Sequence, residues 1–149
     1  MRPLALLGTL LAAWLATPVG AAPTVIVAAG DSSSLGRPFS TFSDVSTDND
    51  GRVAFVGTTT ALFHRSGGRV AHLLAAVERL AGMGPPATGP GGCVAFRAFF
   101  AAGGEGVYQQ CGATVTAMAR AGDPAPAGGR LTTFSGAVAI GRGGQVLFT

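Results

Sequence analysis

The chain has no lysine, one tryptophan, one tyrosine, two histidines and two cysteines, and charged residues make up only 11% of it. Each scarcity narrows what the protein can do. All ten basic residues are arginine and they are spread evenly, so a pI near 9.7 does not create a nucleic-acid face, which needs clustered charge with aromatics between. With abundant Ala and Gly, the arginine bias fits a GC-rich genome. The histidines, His64 and His72, lack a third ligand or a nucleophile at a recognisable spacing. No Gly-x-Ser-x-Gly elbow occurs, and neither cysteine sits in a nucleophile arrangement. The glycine-rich stretches 82–92 and Gly103-Gly104 do not join a strand to a helix, as a phosphate loop must. They read as loops. No catalytic, cofactor-binding or metal-binding set is therefore assigned.

Long apolar runs are also missing, apart from one at the start. Arg2 precedes an almost unbroken apolar stretch from Leu4 to Ala16, and Thr17-Pro18-Val19-Gly20-Ala21-Ala22 ends it with small residues. This is the three-part layout of a secretory signal peptide over residues 1–21, cut after Ala21. The alternative is an uncleaved anchor, but the run falls short of the roughly 20 residues that span a bilayer. No stable transmembrane anchor is expected, and the chain reads as exported to the periplasm, cell surface or medium. Without Arg2, nine arginines face seven acids.

What the chain has in quantity is self-similarity. Gly51-Arg52-Val53-Ala54-Phe55, Gly92-Cys93-Val94-Ala95-Phe96 and Gly144-Gln145-Val146-Leu147-Phe148 spell nearly the same signal. Gly30-Asp31 is followed by Thr41-Phe42, and Gly122-Asp123 by Thr133-Phe134 at the same interval, 92 residues on. One degenerate copy between them sets a unit of about 46 residues, the size of a propeller blade. Residues 22–149 then form a β-repeat domain of about two and a half units. Such a count leaves raw sheet edges, so the array reads as part of a longer one, or as closing as an open sheet, a sandwich or an assembly.

Short apolar segments separated by Gly, Pro, Ser and Asp predict strands at Val25–Val27, Phe39–Val45, Val53–Val56, Leu62–Arg65, Val70–Leu74, Val94–Phe100, Val107–Gln110 and Val115–Ala119. A third unit begins at Thr132 and runs into a strand at Phe148. Val70, Leu73, Leu74 and Val77 also fit a helical face, leaving a helical turn possible across Ala75–Leu80. The fold class is all-β: tandem antiparallel repeats, propeller-like blades in an incomplete array. If Cys93–Phe100 and Gly106–Cys111 form a hairpin about Ala102, facing residue numbers sum to 204 and place Cys93 opposite Cys111. A disulfide follows in an exported chain, against two buried free thiols.

The elements Gly122-Asp123-Pro124-Ala125-Pro126, Thr133-Phe134, Asn49-Asp50-Gly51-Arg52-Val53-Ala54-Phe55 and Gly106-Val107-Tyr108 resemble a family of exported bacterial tandem-repeat proteins. Its pattern is G-D-x-x-P, then T-F, then N-x-x-G-x-V-A-F, then a short G-[IV]-Y strand. The resemblance covers nearly all of the chain after the leader and is structural rather than chemical. It implies a propeller-like fold with no established activity, in proteins usually longer and often carrying a C-terminal anchoring segment. The middle unit departs from the pattern, with Val77-Glu78 for Gly-Asp and no Thr-Phe.

The recurring positions Gly30, Asp31, Gly51, Phe55, Gly92, Phe96, Gly122, Asp123, Gly144 and Phe148 accordingly read as structural. Asp31 and Asp123 could face a cation, but Asp after Gly caps turns well. Ser46, Asp48 and Asp50 before Gly51 mimic the start of a calcium loop, yet Gly57 stands where its glutamate is required. Phe42, Phe55, Phe96, Phe134 and Phe148 could bind sugar and are read instead as the core between units. The expected function is a non-catalytic exported module that binds a cell-surface protein or glycan. The alternatives are part of a propeller-type extracellular enzyme acting on glycans, and a gene remnant without independent function. Edman sequencing of exported protein is expected to start at Ala22; a start at Met1 would make the leader an anchor.

Overall fold

The structure is a computed structural model that describes residues 25–57, 61–66, 69–72 and 80–149. The leader, the Thr-rich 58–60 link, Val77-Glu78 and most of the 75–80 turn lie outside the described residues. The fold is all-β and antiparallel, and no α-helix occurs among the described residues. Strands β1 (Phe42–Thr47), β2 (Val53–Gly57), β3 (Ala61–Ser66) and β4 (Arg69–His72) make one sheet in chain order. In a second sheet, β5 (Leu80–Met83) and β6 (Ala87–Thr88) both pair with β7 (Val94–Phe100), which continues to β8 (Glu105–Cys111) and β9 (Thr114–Arg120). A ribbon of β10 (Ala139–Ile140) and β11 (Val146–Leu147) follows. The described sheets close into neither a barrel nor a propeller.

The three signal segments pair alike. Ser46 and Thr47 face Ala54 and Val53, Ala87 and Thr88 face Ala95 and Val94, and Ala139 and Ile140 face Leu147 and Val146. One strand over, Phe55 opposes Phe63 and Phe96 opposes Tyr108. Both aromatic pairs are stacked, with ring centroids 5.6 and 6.0 Å apart.

Strand alternation decides what those residues touch, because successive side chains point to opposite faces. Val53 and Phe55 join Phe39 and Phe63 in one buried cluster on the rear of the first sheet. Ala54 and Val56, on its front, meet Val94, Phe96 and Tyr108 from the rear of the second. Ala95, on the front of the second sheet, shares a cluster with Val107, Ala119, Phe134 and Val138, against which Val146 and Phe148 pack. In each layer the bulky Val-x-Phe pair faces backward; the residue between them faces forward and is alanine in the first two layers and Leu147 in the third. Burying one such phenylalanine is worth about 1.5–3 kcal/mol.

The backbone before each signal strand turns the same way. The Gly51 N–H donates to the Asp48 carbonyl and the Asp48 N–H to the Arg52 carbonyl; Gly89 with Gly92 and Cys93, and Gly141 with Gly144 and Gln145, repeat the pair. Gly51, Gly92 and Gly144 hold φ of 72°, 78° and 82°, the left-handed region where a Cβ is disfavoured. Three-residue hairpin loops need that residue to bring the strands back into register. A second arrangement recurs 92 residues apart. The Gly30 N–H donates to the Phe39 carbonyl and the Gly122 N–H to the Leu131 carbonyl, while isolated bridges join Ser32 to Pro38 and Pro124 to Arg130.

The β7–β8 register runs through Phe96 opposite Tyr108, the sum of 204 that places Cys93 beside Cys111. These two form a disulfide with their Cα atoms 4.3 Å apart, the spacing of a narrow antiparallel pair.

Several expected elements differ. Val25–Val27 is not a strand; Val27 packs onto the rear cluster as a loop. The strand predicted at Phe39–Val45 runs from Phe42 to Thr47, because Phe39 is bound into the preceding turn and a bulge interrupts the pairing at Asp44, which has φ 48°. Phe39 is buried and Val45 exposed. Within 82–92, read as loop, β5 and β6 occupy the place of β1, and Leu80 belongs to β5 rather than to a helical turn. Met83 faces Ala98 as Phe42 faces Gly57, so methionine fills the position of the absent Thr-Phe phenylalanine.

One side chain ties the second sheet to the segment beyond it. Glu105 accepts the Phe134 N–H at 2.9 Å on one oxygen and the Arg97 guanidinium at 2.6 and 2.7 Å on the other. Replacing it leaves a half-buried cation and an unmet donor. Glu105→Ala is expected to lower unfolding free energy by about 1–3 kcal/mol in chemical denaturation. Glu105→Gln, which keeps an acceptor for Phe134, is expected to lose less.

Candidate functional site

The three equivalent turns converge. A cleft of about 370 Å³ is lined by Thr47 to Asp50 from the first turn, Thr88 to Gly91 from the second, and Ile140 to Arg142 from the third. Stacking the sheets brings these segments to one rim.

The first wall is a self-satisfied turn. Asp48 accepts the N–H groups of Asp50 and Arg52 on Oδ1, both at 2.9 Å, and the Arg52 guanidinium on Oδ2 at 2.9 Å. Arg52 also reaches Asp50 at 2.7 Å. Burial opposes the Asp48 charge, but the Arg52 N–H, its guanidinium and the Asp50 N–H outweigh it and hold the pKa below the ordinary value of 3.8. Asp48 is therefore committed to the turn, while Asn49 and Asp50 face solvent.

The second wall is fixed to the first through Thr88. Its N–H donates to the Ser46 hydroxyl at 3.0 Å, and the two hydroxyls are 3.0 Å apart. Gly89 is buried with no room beside it: a Cβ there would lie 2.5 Å from the Ile140 Cγ2. The missing side chain lets the third turn approach the second. Arg142 stands exposed on that third wall. The cleft thus sets a carboxylate and an amide on one side and a guanidinium on the other, over a floor of backbone and Ile140.

The recurring acids lie elsewhere and serve the backbone. Asp31 accepts the Ala28 N–H at 2.8 Å and Asp123 the Arg120 N–H at 2.7 Å, each closing its own turn. Among the described residues no three His, Cys, Asp or Glu side chains gather as a metal site. The histidines do not meet, since His64 faces Ala54 and Ala71 while His72 opposes Phe63, placing the two on opposite faces of the sheet. His64 lies beside Gly92 and its buried Nε2 has no hydrogen-bond partner. Phe42, Phe55, Phe134 and Phe148 form aromatic pairs within their own layers at 5.8 and 5.6 Å. None of them lines this cleft. Sequence reasoning found the turns and missed their convergence, along with Ile140 and Arg142; the only signal was the shared spacing before each Val-x-Phe.

A comparison with protein-family models, curated proteins and solved structures finds no match. No helix among the described residues is long and apolar enough to cross a membrane.

Burial lowers the pKa of both histidines below the ordinary 6.5, and for His64 the Arg52 charge adds to the effect. The folded state then binds fewer protons than the unfolded chain, so stability is fully present above that ordinary value and falls as pH drops below it. Melting temperature is expected to decline from about pH 7.5 to about pH 5.5, in the range where histidine titrates. His64→Gln should flatten part of that slope; an unchanged slope would remove His64 from the account.

Proposed function

We propose that this chain is an exported, non-catalytic β-repeat protein whose modules stack as propeller blades do, and that it binds a cell-surface protein or glycan through the cleft formed by its equivalent turns. The observation carrying the reading is the convergence of Asn49-Asp50, Pro90-Gly91 and Gly141-Arg142 on one rim. Support for modules comes from pairings and turn hydrogen bonds that recur at matching positions. Repeat scaffolds commonly use such rims for binding, because rigid strands hold the turns while the turn residues vary. Export is supported by the leader-like start and by a disulfide, a bond that persists in oxidising compartments. The acids of the rim do not favour hydrolysis, since Asp48 and Asp50 both pair with Arg52 and Asp48 is held below the ordinary carboxylate value.

Purified protein titrated against arrayed bacterial glycans and envelope proteins is expected to retain at least one of them. The Asn49→Ala, Asp50→Ala, Arg142→Ala triple variant should weaken that binding about tenfold or more without shifting the melting temperature. Turnover of a glycan without retained binding, or full affinity in the triple variant, would overturn the assignment.

A further inference from the structure

The layered packing can be read position by position. Phe42 and Val45 lie on the rear of the first module, opposite Gly57 and Phe55 on β2. Shifting by the 41 residues from Gly51 to Gly92 turns them into Met83, opposite Ala98, and Pro86. Shifting by the 92 residues between the Thr-Phe signals, or the 93 from Gly51 to Gly144, gives Phe134 and Val138. The later positions are covered: Pro86 is buried, Met83 packs onto a buried cluster, and Phe134 and Val138 are 3% and 7% exposed. Met83 is covered by a front face carrying Ala54, Val56 and Leu62, and Phe134 and Val138 by one carrying Ala95, Val107 and Ala119. Among the described residues no sheet face covers the first module in this way. Phe42 is 41% exposed and Val45 70%. With Ile26, Val27, Val53 and Phe55 they line an apolar cleft of about 330 Å³.

The opposite mismatch stands on the third of the described segments. Ala54 and Ala95 are front-face residues and both are fully buried. Leu147 holds the same place in the third signal, three residues after Gly144, and is 62% exposed. The molecule therefore presents an apolar hole on one face and an apolar knob on the other, at positions that meet each other inside it.

We propose that copies of this chain associate head to tail, with Leu147 of one copy entering the cleft beside Phe42 and Val45 of the next. The interface continues the one that already joins the first module to the second and the second to the third. It is heterologous, with different patches on the two partners, so it propagates into a ring or an open chain of copies rather than stopping at a symmetric pair. The inference rests on the module reading proposed above and goes beyond its binding cleft, which lies at the turns and stays open in such a stack.

The test uses the full chain and two single variants, Val45→Asp and Leu147→Asp, whose positions are exposed and whose melting temperatures should match the parent. Sedimentation equilibrium is expected to show the parent's mass rising with concentration and each variant remaining a monomer. An equimolar mixture of the two variants is expected to form a 1:1 dimer and stop there, because one supplies the intact knob and the other the intact hole. A parent that stays monomeric, or a mixture that does, overturns the proposal. Self-association retained by Leu147→Asp but lost by Val45→Asp also overturns it, in favour of a symmetric pairing of first-module faces. Failure of the module reading shows separately. Val138→Asp should lower the melting temperature while Val45→Asp does not, and equal effects would remove the equivalence on which both proposals stand.

Discussion

The fold depends on one contact made twice: a bulky rear face set against a small-residue front face. Phe96 and Tyr108 pack closely against the first sheet because Ala54 presents little more than backbone there. Phe134 and Phe148 do the same over Ala95 and Ala119. Large against small lets neighbouring layers interdigitate at the density of a protein interior. A bulkier residue at either alanine would push apart the two layers that meet there.

Local backbone geometry brings those layers into line. The same hairpin turn precedes each Val-x-Phe segment, and its left-handed glycine returns the chain so that alternation begins on the same foot. A turn one residue longer or shorter would send the phenylalanine to the front and the alanine to the rear. Glycine at Gly89 has a different purpose. Its φ of −135° is ordinary, and what matters is the contact with Ile140. The abundance of glycine in this chain thus covers two separate needs, backbone handedness and close approach.

Much of the architecture could be read from the residues, and the gaps have physical causes. The β7–β8 hairpin, its register and the Cys93–Cys111 pairing followed from alternation and a short glycine link, which are local. The turns at Gly51, Gly92 and Gly144 were visible because left-handed positions select glycine. Leu80–Met83 and Ala87–Thr88 were hidden because Gly82, Gly84 and two prolines imitate a loop, while edge strands tolerate such residues. Val25–Val27 has strand composition and no partner strand, so burial of Val27 rather than pairing holds it. The cleft was illegible for a different reason. Asn49, Pro90 and Arg142 come together only through the stacking of sheets, and no window of sequence contains them all.

The placement of the disulfide has a mechanical consequence. Cys93 and Cys111 close one hairpin inside the middle sheet, and neither reaches another layer. If the chain were pulled from both ends, the outer layers could peel away one at a time, while the linked hairpin would refuse to lengthen. The bond removes a sequence separation of 18 residues from the extensible contour, about 60 Å of reach. Under tension this hairpin would be the last part to lengthen, keeping Val94, Phe96 and Tyr108 close together as a surface on which the rest can reassemble.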